Sequence, residues 1–342
     1  MKCKALLFLA LLFSIASSAQ ELYPLTEPAS TVPQGVLGGR IMSQLYQEYS
    51  QTRQMYATRI MYGLTSKLTI EVTASTSNHH DTLLPPNLTK HTHNAQGGNV
   101  YTADNLPRGI YYPFIFAGYN FYAKYRVYSN DAEKSHFRIA LFADYSTIDV
   151  AHDEAEPELL DDNGGYEGGI IVTKLIDRWA FSFTTDYIVP HDFTQTQTKY
   201  IWPPQVTTLQ YGRALEYDFS IGYRFFPNVY MNDYTQNNFN VYVEFLGKSY
   251  NGAEVNVNGV VGNIQTPLLE KGYYVEMYPG IQWIINSNAR AELSVGYPIL
   301  GESYIHFYPV YDLAVQRYFY FSKSKPNPPV RKPPPLPANY GE

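Results

Sequence analysis

Several stretches of this chain alternate apolar and polar side chains residue by residue, and that period of two limits the fold more sharply than any other feature. From Phe116 to Tyr128, the residues Ala117, Tyr119, Phe121, Ala123, Tyr125 and Val127 form an apolar set against Gly118, Asn120, Tyr122, Lys124 and Arg126. The next stretch sets Phe137, Ile139, Leu141, Ala143 and Tyr145 against Arg138, Ala140, Phe142 and Asp144. A third sets Leu215, Tyr217, Phe219, Ile221 and Tyr223 against Glu216, Asp218, Ser220, Gly222 and Arg224. Helical spacing fits none of them. Successive side chains of a strand point to opposite faces, so each stretch predicts a strand with one apolar and one polar side.

Composition indicates what the apolar side meets. Aromatic residues make up 16% of the chain, with 33 tyrosines, and charged residues also make up 16%, against roughly a quarter in ordinary soluble domains. Beyond Ile15 no apolar run reaches the roughly eighteen residues that a membrane-spanning helix requires. A closed β-barrel is the other structure that satisfies every backbone polar group in lipid. A soluble β-sandwich is the alternative fold, but it does not account for aromatic residues gathered near strand ends on the aliphatic side. The net charge of −6 offers no basic surface for nucleic acid, and that partner class is not expected.

Read less strictly, the same pattern predicts strands near 36–46, 54–63, 67–77, 116–128, 136–147, 168–175, 179–189, 213–225, 239–248, 272–285, 289–297 and 310–321. The expected fold is an all-β, transmembrane, antiparallel up-and-down barrel of about twelve strands. An even count returns both termini to one side, the periplasm in bacterial barrels. With the first connection extracellular, the even connections should be short, and 63–67, 129–135, 176–178 and 286–288 are, with 226–238 the longer exception. Most of the odd connections, 78–115, 148–167, 190–212 and 249–271, are long, with the first and last somewhat shorter. Pro279 falls inside a predicted strand, where it has no N–H for the ladder, and a bulge is expected there.

Residues 1–19 have the form of an export signal: basic Lys2 and Lys4, an apolar run from Ala5 to Ile15, and Ser17 and Ala19 ahead of a cut before Gln20. Cys3 is the single cysteine, so the mature chain is expected to carry no disulfide, thiolate metal site, cysteine nucleophile or lipidated cysteine. The remaining organisation is a periplasmic lead-in over 20–35, the barrel over 36–321, and a proline-rich periplasmic tail over 322–342.

Five segments together carry a resemblance to a known family: Glu27 to Ser30 (EPAS), Tyr62 to Leu68 (YGLTSKL), Tyr122 to Arg126 (YAKYR), Pro279 to Trp283 (PGIQW) and Glu292 to Pro298 (ELSVGYP). They resemble the outer-membrane barrels grouped around the MetA pathway of phenol degradation. The resemblance implies a barrel that passes small, hydrophobic or aromatic compounds, and it brings no catalytic residues with it. The proline-rich tail departs from that family's pattern.

The predicted register points Arg40, Arg59, Glu71, Lys124, Arg126, Arg138, Asp144, Lys174, Asp186, Glu216, Asp218, Arg224, Glu244, Glu276, Arg290 and Glu292 inward. Such residues either line a lumen that guides a small-molecule solute or pair into a packed interior, since a narrow barrel leaves little space once long side chains are placed. Tyr122, Phe142, Tyr242, Tyr274 and Tyr278 share that side, as space-filling residues or as contacts for an apolar solute. His79, His80, Asp81, His91 and His93 crowd the longest connection and raise a metal hypothesis, against which stands a solvated polar loop. The acidic run Asp153, Glu154, Glu156, Glu158, Asp161, Asp162 and Glu167 lacks the spacing of a calcium loop. It is expected to be solvated, with lipopolysaccharide bridged through divalent ions as the alternative. Neither metal nor cofactor is expected. The leading function is a channel or transporter for small solutes in the outer membrane, in contact with its lipid and lipopolysaccharide. A closed structural or surface-interaction barrel is the alternative. A membrane-embedded hydrolase is a third reading, weakened because His136 and His306 lie at strand ends and the other histidines in loops.

Overall fold

The computed structural model describes residues 23, 25–48, 51–78, 80, 113–132, 134–197, 204–227, 237–261, 267–301 and 307–321. The expected export signal and proline-rich tail lie outside these residues, as do His79, Asp81, His91, His93 and His306. Twelve long strands close into a ring: β1 (Val36–Glu48), β2 (Gln51–Gly63), β3 (Leu68–Ser77), β4 (Ile115–Ala132), β5 (Ser135–Asp149), β6 (Asn163–Ile176), β7 (Trp179–Pro190), β10 (Ala214–Phe226), β11 (Asn238–Tyr250), β14 (Gly272–Ile285), β15 (Ala289–Gly301) and β16 (Val310–Tyr320). Each pairs antiparallel with its neighbours, and the seam joins β1 to β16 from Val36↔Tyr320 to Leu45↔Tyr311. All twelve predicted strands coincide with strands of the ring.

Four short strands fall within long connections and had not been expected: β8 (Phe193–Gln197), β9 (Gln205–Gln210), β12 (Glu254–Val257) and β13 (Val260–Val261). They form a separate sheet in the order β13-β12-β9-β8 at the end of the barrel where the connections are long. Phe193, Leu209, Tyr211, Val255 and Leu269 bury a small core beneath it.

The outer face is built for lipid. Ile41, Ile60, Phe121, Phe183, Ile281 and Val315 are each more than 40% exposed, an arrangement that a protein in water rarely tolerates over a continuous belt. Aromatic pairs sit toward both ends. Phe239 stacks on Trp283 with planes 6° apart, and Trp179 meets Tyr223 with ring centroids at 4.6 Å, near the short turns. Tyr145 meets Tyr166 at 5.0 Å toward the long connections. These are the interfacial girdles of a membrane barrel.

On the inner face, large tyrosines lie against glycines of the next strand. Tyr250 on β11 covers Gly272 on β14, Tyr242 on β11 covers Gly280 on β14, and Tyr278 on β14 covers Gly296 on β15; a Cβ at any of these glycines would overlap the ring. Tyr242 reaches past β14 altogether and donates its hydroxyl to the Leu293 carbonyl on β15 at 3.1 Å.

Three predicted registers differ in detail. The β3–β4 ladder steps from Ser75↔Gly118 to Thr76↔Phe116, so a bulge turns Phe116 outward and buries Ala117 against Ile148 and Val150. Strict alternation had assigned Ala117 to lipid. No register shift occurs at Pro279, which faces Val243 on β11; the ladder to β15 runs in one register from Met277↔Tyr297 to Gly280↔Ser294, and its irregularity lies at Val275/Glu276. Lys174 pairs with Phe137 on the outer face, with its Nζ 5.8 Å from that ring and donating to Ser135 Oγ at 2.8 Å. There it snorkels at the short-turn rim rather than pointing inward.

Candidate functional site in the barrel interior

Inside the ring, Arg40, Glu71, Lys124, Arg138, Asp186, Glu244, Glu276, Arg290 and Glu292 are buried, while Arg59, Asp144, Glu216 and Asp218 are half-buried. Arg126 and Arg224 sit half-buried at the short-turn rim, where Arg126 donates to the Ser66 carbonyl at 2.8 Å. A charge removed from water is stable only with partners, and the partners fall into two kinds.

The first kind joins wall to wall. Arg40 on β1 meets Glu292 on β15 at 2.9 Å, and Arg290 meets the same carboxylate at 3.2 Å. Gln316 accepts from Arg290 at 2.6 Å, Gln282 donates to Glu292 at 2.6 Å, and Asn240 donates to Gln282 at 2.7 Å. This network runs across β1, β16, β15, β14 and β11 and closes one side of the interior. Asp144 accepts both contacts from Asn120, at 2.7 and 2.8 Å. Glu276 accepts the Tyr278 hydroxyl at 2.8 Å and the Tyr308 hydroxyl.

The second kind joins the wall to two segments that enter the barrel. The lead-in was expected in the periplasm, but its described residues cross the interior as a strap. The Val32 amide donates to Thr69 Oγ1 on β3 at 2.8 Å, the Ala29 amide to Thr173 Oγ1 on β6 at 2.8 Å, and the Thr26 amide to Glu244 on β11 at 2.8 Å. β3 and β11 are six places apart in the ring of twelve, so the strap spans opposite walls. An irregular segment must find acceptors for its N–H groups, and inward Ser, Thr and Glu side chains supply them. Glu27 of the strap sits between Arg59 at 2.8 Å and Lys124 at 2.7 Å, with Glu71 3.3 Å from Arg59. Lys124 also donates to the Pro28 carbonyl, and Arg138 to Ser30 Oγ at 3.0 Å. Tyr23 ends the described strap, buried against Ala180 and Tyr242.

The acidic connection between β5 and β6 was expected to be solvated. Instead residues 150–162 fold into the other end of the barrel. Ala155 and Leu159 are buried among Ile188, Ala214, Tyr250 and Tyr274, which draws the acidic residues inward with them. Lys248 on β11 answers their charge. Its Nζ lies 2.7 Å from Glu156, 2.8 Å from Glu216 and 2.9 Å from the Pro157 carbonyl, and the Tyr274 hydroxyl donates to Glu156 at 2.6 Å. Burial pushes the Glu158 carboxyl up to about 8, with Asp162 adding to the rise and Lys248 opposing it. Burial likewise raises the Tyr211 phenol, with Asp153 nearby adding to the rise.

Two residues central to this interior were missed in the sequence. Lys248 is in phase with Tyr242 and Glu244, so running the β11 alternation to its end would have found it. Glu27 has no periodic signal, because the strap is neither strand nor helix. Lys124, Arg126 and Arg138, on the neighbouring strands β4 and β5, have separate partners: Lys124 holds Glu27, Arg138 holds Ser30 and Asp131, and Arg126 binds backbone at the rim.

No protein-family profile and no curated protein matches the chain. Several solved structures do. An outer membrane channel from Pseudomonas putida F1 is 11% identical with a TM-score of 0.53, over 87% of this chain and 100% of that one. The NanC porin is 10% identical with a TM-score of 0.39, over 83% and 98%. Outer membrane phospholipase A from Escherichia coli is 11% identical with a TM-score of 0.31, over 88% and 94%. The likeness to the Pseudomonas putida channel is one of fold, and the chain is a closed, membrane-spanning antiparallel barrel of twelve strands.

Proposed function

We propose that the protein is an outer-membrane channel for small solutes, with the strap and the 150–162 infold as its two internal closures and both termini in the periplasm. The observation that carries this reading is Glu27, held between Arg59 and Lys124 inside the ring. A barrel interior that served only as a packed core would satisfy wall charges from the wall. Here two wall cations meet a carboxylate of the strap, with Glu71 of the wall a second partner of Arg59, and withdrawal of the strap leaves a polar passage rather than an apolar void. Inward aromatic side chains such as Tyr122 and Phe142, with ring centroids 5.3 Å apart, favour solutes with aromatic character. The five motifs that resemble the phenol-degradation barrels point the same way. The long connections then face the lipopolysaccharide side.

In the channel reading the described histidines hold local structure: His80 and His152 face Asp162, His136 bonds to Asp131, and His191 packs against the Tyr145 and Tyr166 rings. Planar-bilayer recording tests the proposal. Deleting residues 23–33 should raise unitary conductance and shift preference toward anions as Arg59, Lys124 and Arg138 lose the strap, and neutralising Arg126 with Arg138 should alter solute uptake by liposomes. Absence of current through both the full chain and the folded deletion, with uptake unchanged, would replace the channel by a closed structural barrel.

A further inference from the structure

We infer that His80, His152 and Asp162 form a binding site for a divalent transition-metal ion of the zinc type. The three come from separate places: His80 follows β3, His152 opens the infold and Asp162 closes it. All three are buried, at 5%, 3% and 5% exposure. His80 Nε2 lies 2.6 Å from Asp162 Oδ1, and His152 Nε2 lies 3.7 Å from Asp162 Oδ2. One potential ligand atom from each residue lies within 4.8 Å of the others, a triangle that an ion with bonds of about 2.0–2.2 Å can occupy after small side-chain adjustment. The imidazole rings meet edge to face with centroids 5.1 Å apart, so they do not stack in a way that would block convergence.

The donor set selects the metal. Imidazole nitrogen suits zinc, copper, nickel and iron, whereas calcium and magnesium require oxygen ligands. Three protein ligands leave a fourth position for water or for the Glu156 carbonyl, which is 3.1 Å from His152 Nε2. To bind the ion each imidazole presents Nε2 as a lone pair and carries its N–H on Nδ1, so the present contacts of Nε2 with Asp162 and the Glu156 carbonyl give way to metal bonds. Asp161, buried beside Asp162, adds negative field. A cavity of about 220 Å³, lined among others by Tyr211, His191 and Asp149, reaches Asp162. Without an ion, His80 Nε2 bonds to Asp162 and His152 Nε2 bonds to the Glu156 carbonyl while standing 3.7 Å from Asp162; what points to a metal is that imidazoles from two distant segments bring Nε2 to one buried group of oxygen donors. The inference stands independently of the channel reading.

The test uses the full-length barrel in detergent, stripped with a chelator, in a background where His79, His91 and His93 are replaced by alanine to silence the rest of that connection. Zn²⁺ titrated against a chromophoric chelator should show one equivalent. His80→Ala, His152→Ala and Asp162→Asn should each weaken it by at least about tenfold, the lower bound seen when even an outer partner of a metal ligand is removed. Co²⁺ in place of Zn²⁺ should give the intense visible bands of four- or five-coordinate cobalt. Heat-modifiable migration reports whether each variant has folded. Binding in the background chain no tighter than in the His80→Ala/His152→Ala pair would overturn the site. Should those variants fail to fold, the cobalt spectrum decides: that of the hexaaqua ion would overturn it.

Discussion

The strap and the infold both occupy the barrel interior, yet the balance of what holds them differs. The strap adds to its packed side chains a row of backbone contacts: amides of Thr26, Ala29 and Val32 reach wall side chains, and Glu27 is its main ionic contact. The infold is fastened through its side chains, with Ala155 and Leu159 in an apolar cluster and Glu156 on Lys248. The amide contacts make the wall residues decisive for the strap, while Tyr23, Thr26, Glu27, Ala29, Ser30 and Val32 also tie its side chains to the wall. Side-chain fastening makes the infold's own sequence decisive.

The sharpest test of that contrast is Lys248→Met. Removing one member of a buried ionic group strands the others and costs about 3–5 kcal/mol. Glu156 and Glu216 should then force the infold out, seen as new protease cleavage within 150–162 and a lower temperature for loss of heat-modifiable migration. Glu244→Ala comes next, at roughly 1–3 kcal/mol, because the Leu25 and Thr26 amides lose their acceptor. A Ser30→Cys reporter should gain thiol reactivity in that variant while protease resistance of the infold is unchanged; equal loosening of both segments would mean that they move as one. Thr69→Val deletes a single neutral acceptor for Val32, worth about 0.5–1.5 kcal/mol, and should raise Ser30→Cys reactivity only slightly. Truncation after Ser322 should be silent in heat-modifiable migration, and a change there would make the tail part of the fold.

The ring was legible because lipid imposes a strict rule. Every residue of a spanning strand must choose a side, so Leu141, Phe219 and Leu293 announce themselves by period alone. The rule lapses where a bulge slips the phase, as at Phe116 and Ala117, and a single sequence carries no sign of a bulge. The strands β8 and β9 escaped notice because Thr and Gln fill most of Phe193 to Gln197 and of Gln205 to Gln210, so no apolar face marks a period of two. Inward charges were readable one by one, but their partners were not. Lys124 meets Glu27 across 97 positions of sequence and Lys248 meets Glu156 across 92, and only the closed ring brings these together. The acidic run 153–162 looked solvated because its charges outnumber its apolar residues. Ala155 and Leu159 sufficed to carry it inward once Lys248 was there to receive it.

The tyrosines that lie over Gly272, Gly280 and Gly296 give the barrel a property set by what its wall lacks. Twelve strands fix a circumference, but the usable bore depends on whether large inward residues stand upright or lie flat. A bare backbone on the neighbouring strand lets each ring fold down like a hinged panel, and Tyr242 is latched there by the Leu293 carbonyl. A methyl group at Gly280 would lift that panel into the lumen, so the width of the passage can be altered from within the wall, without moving a strand.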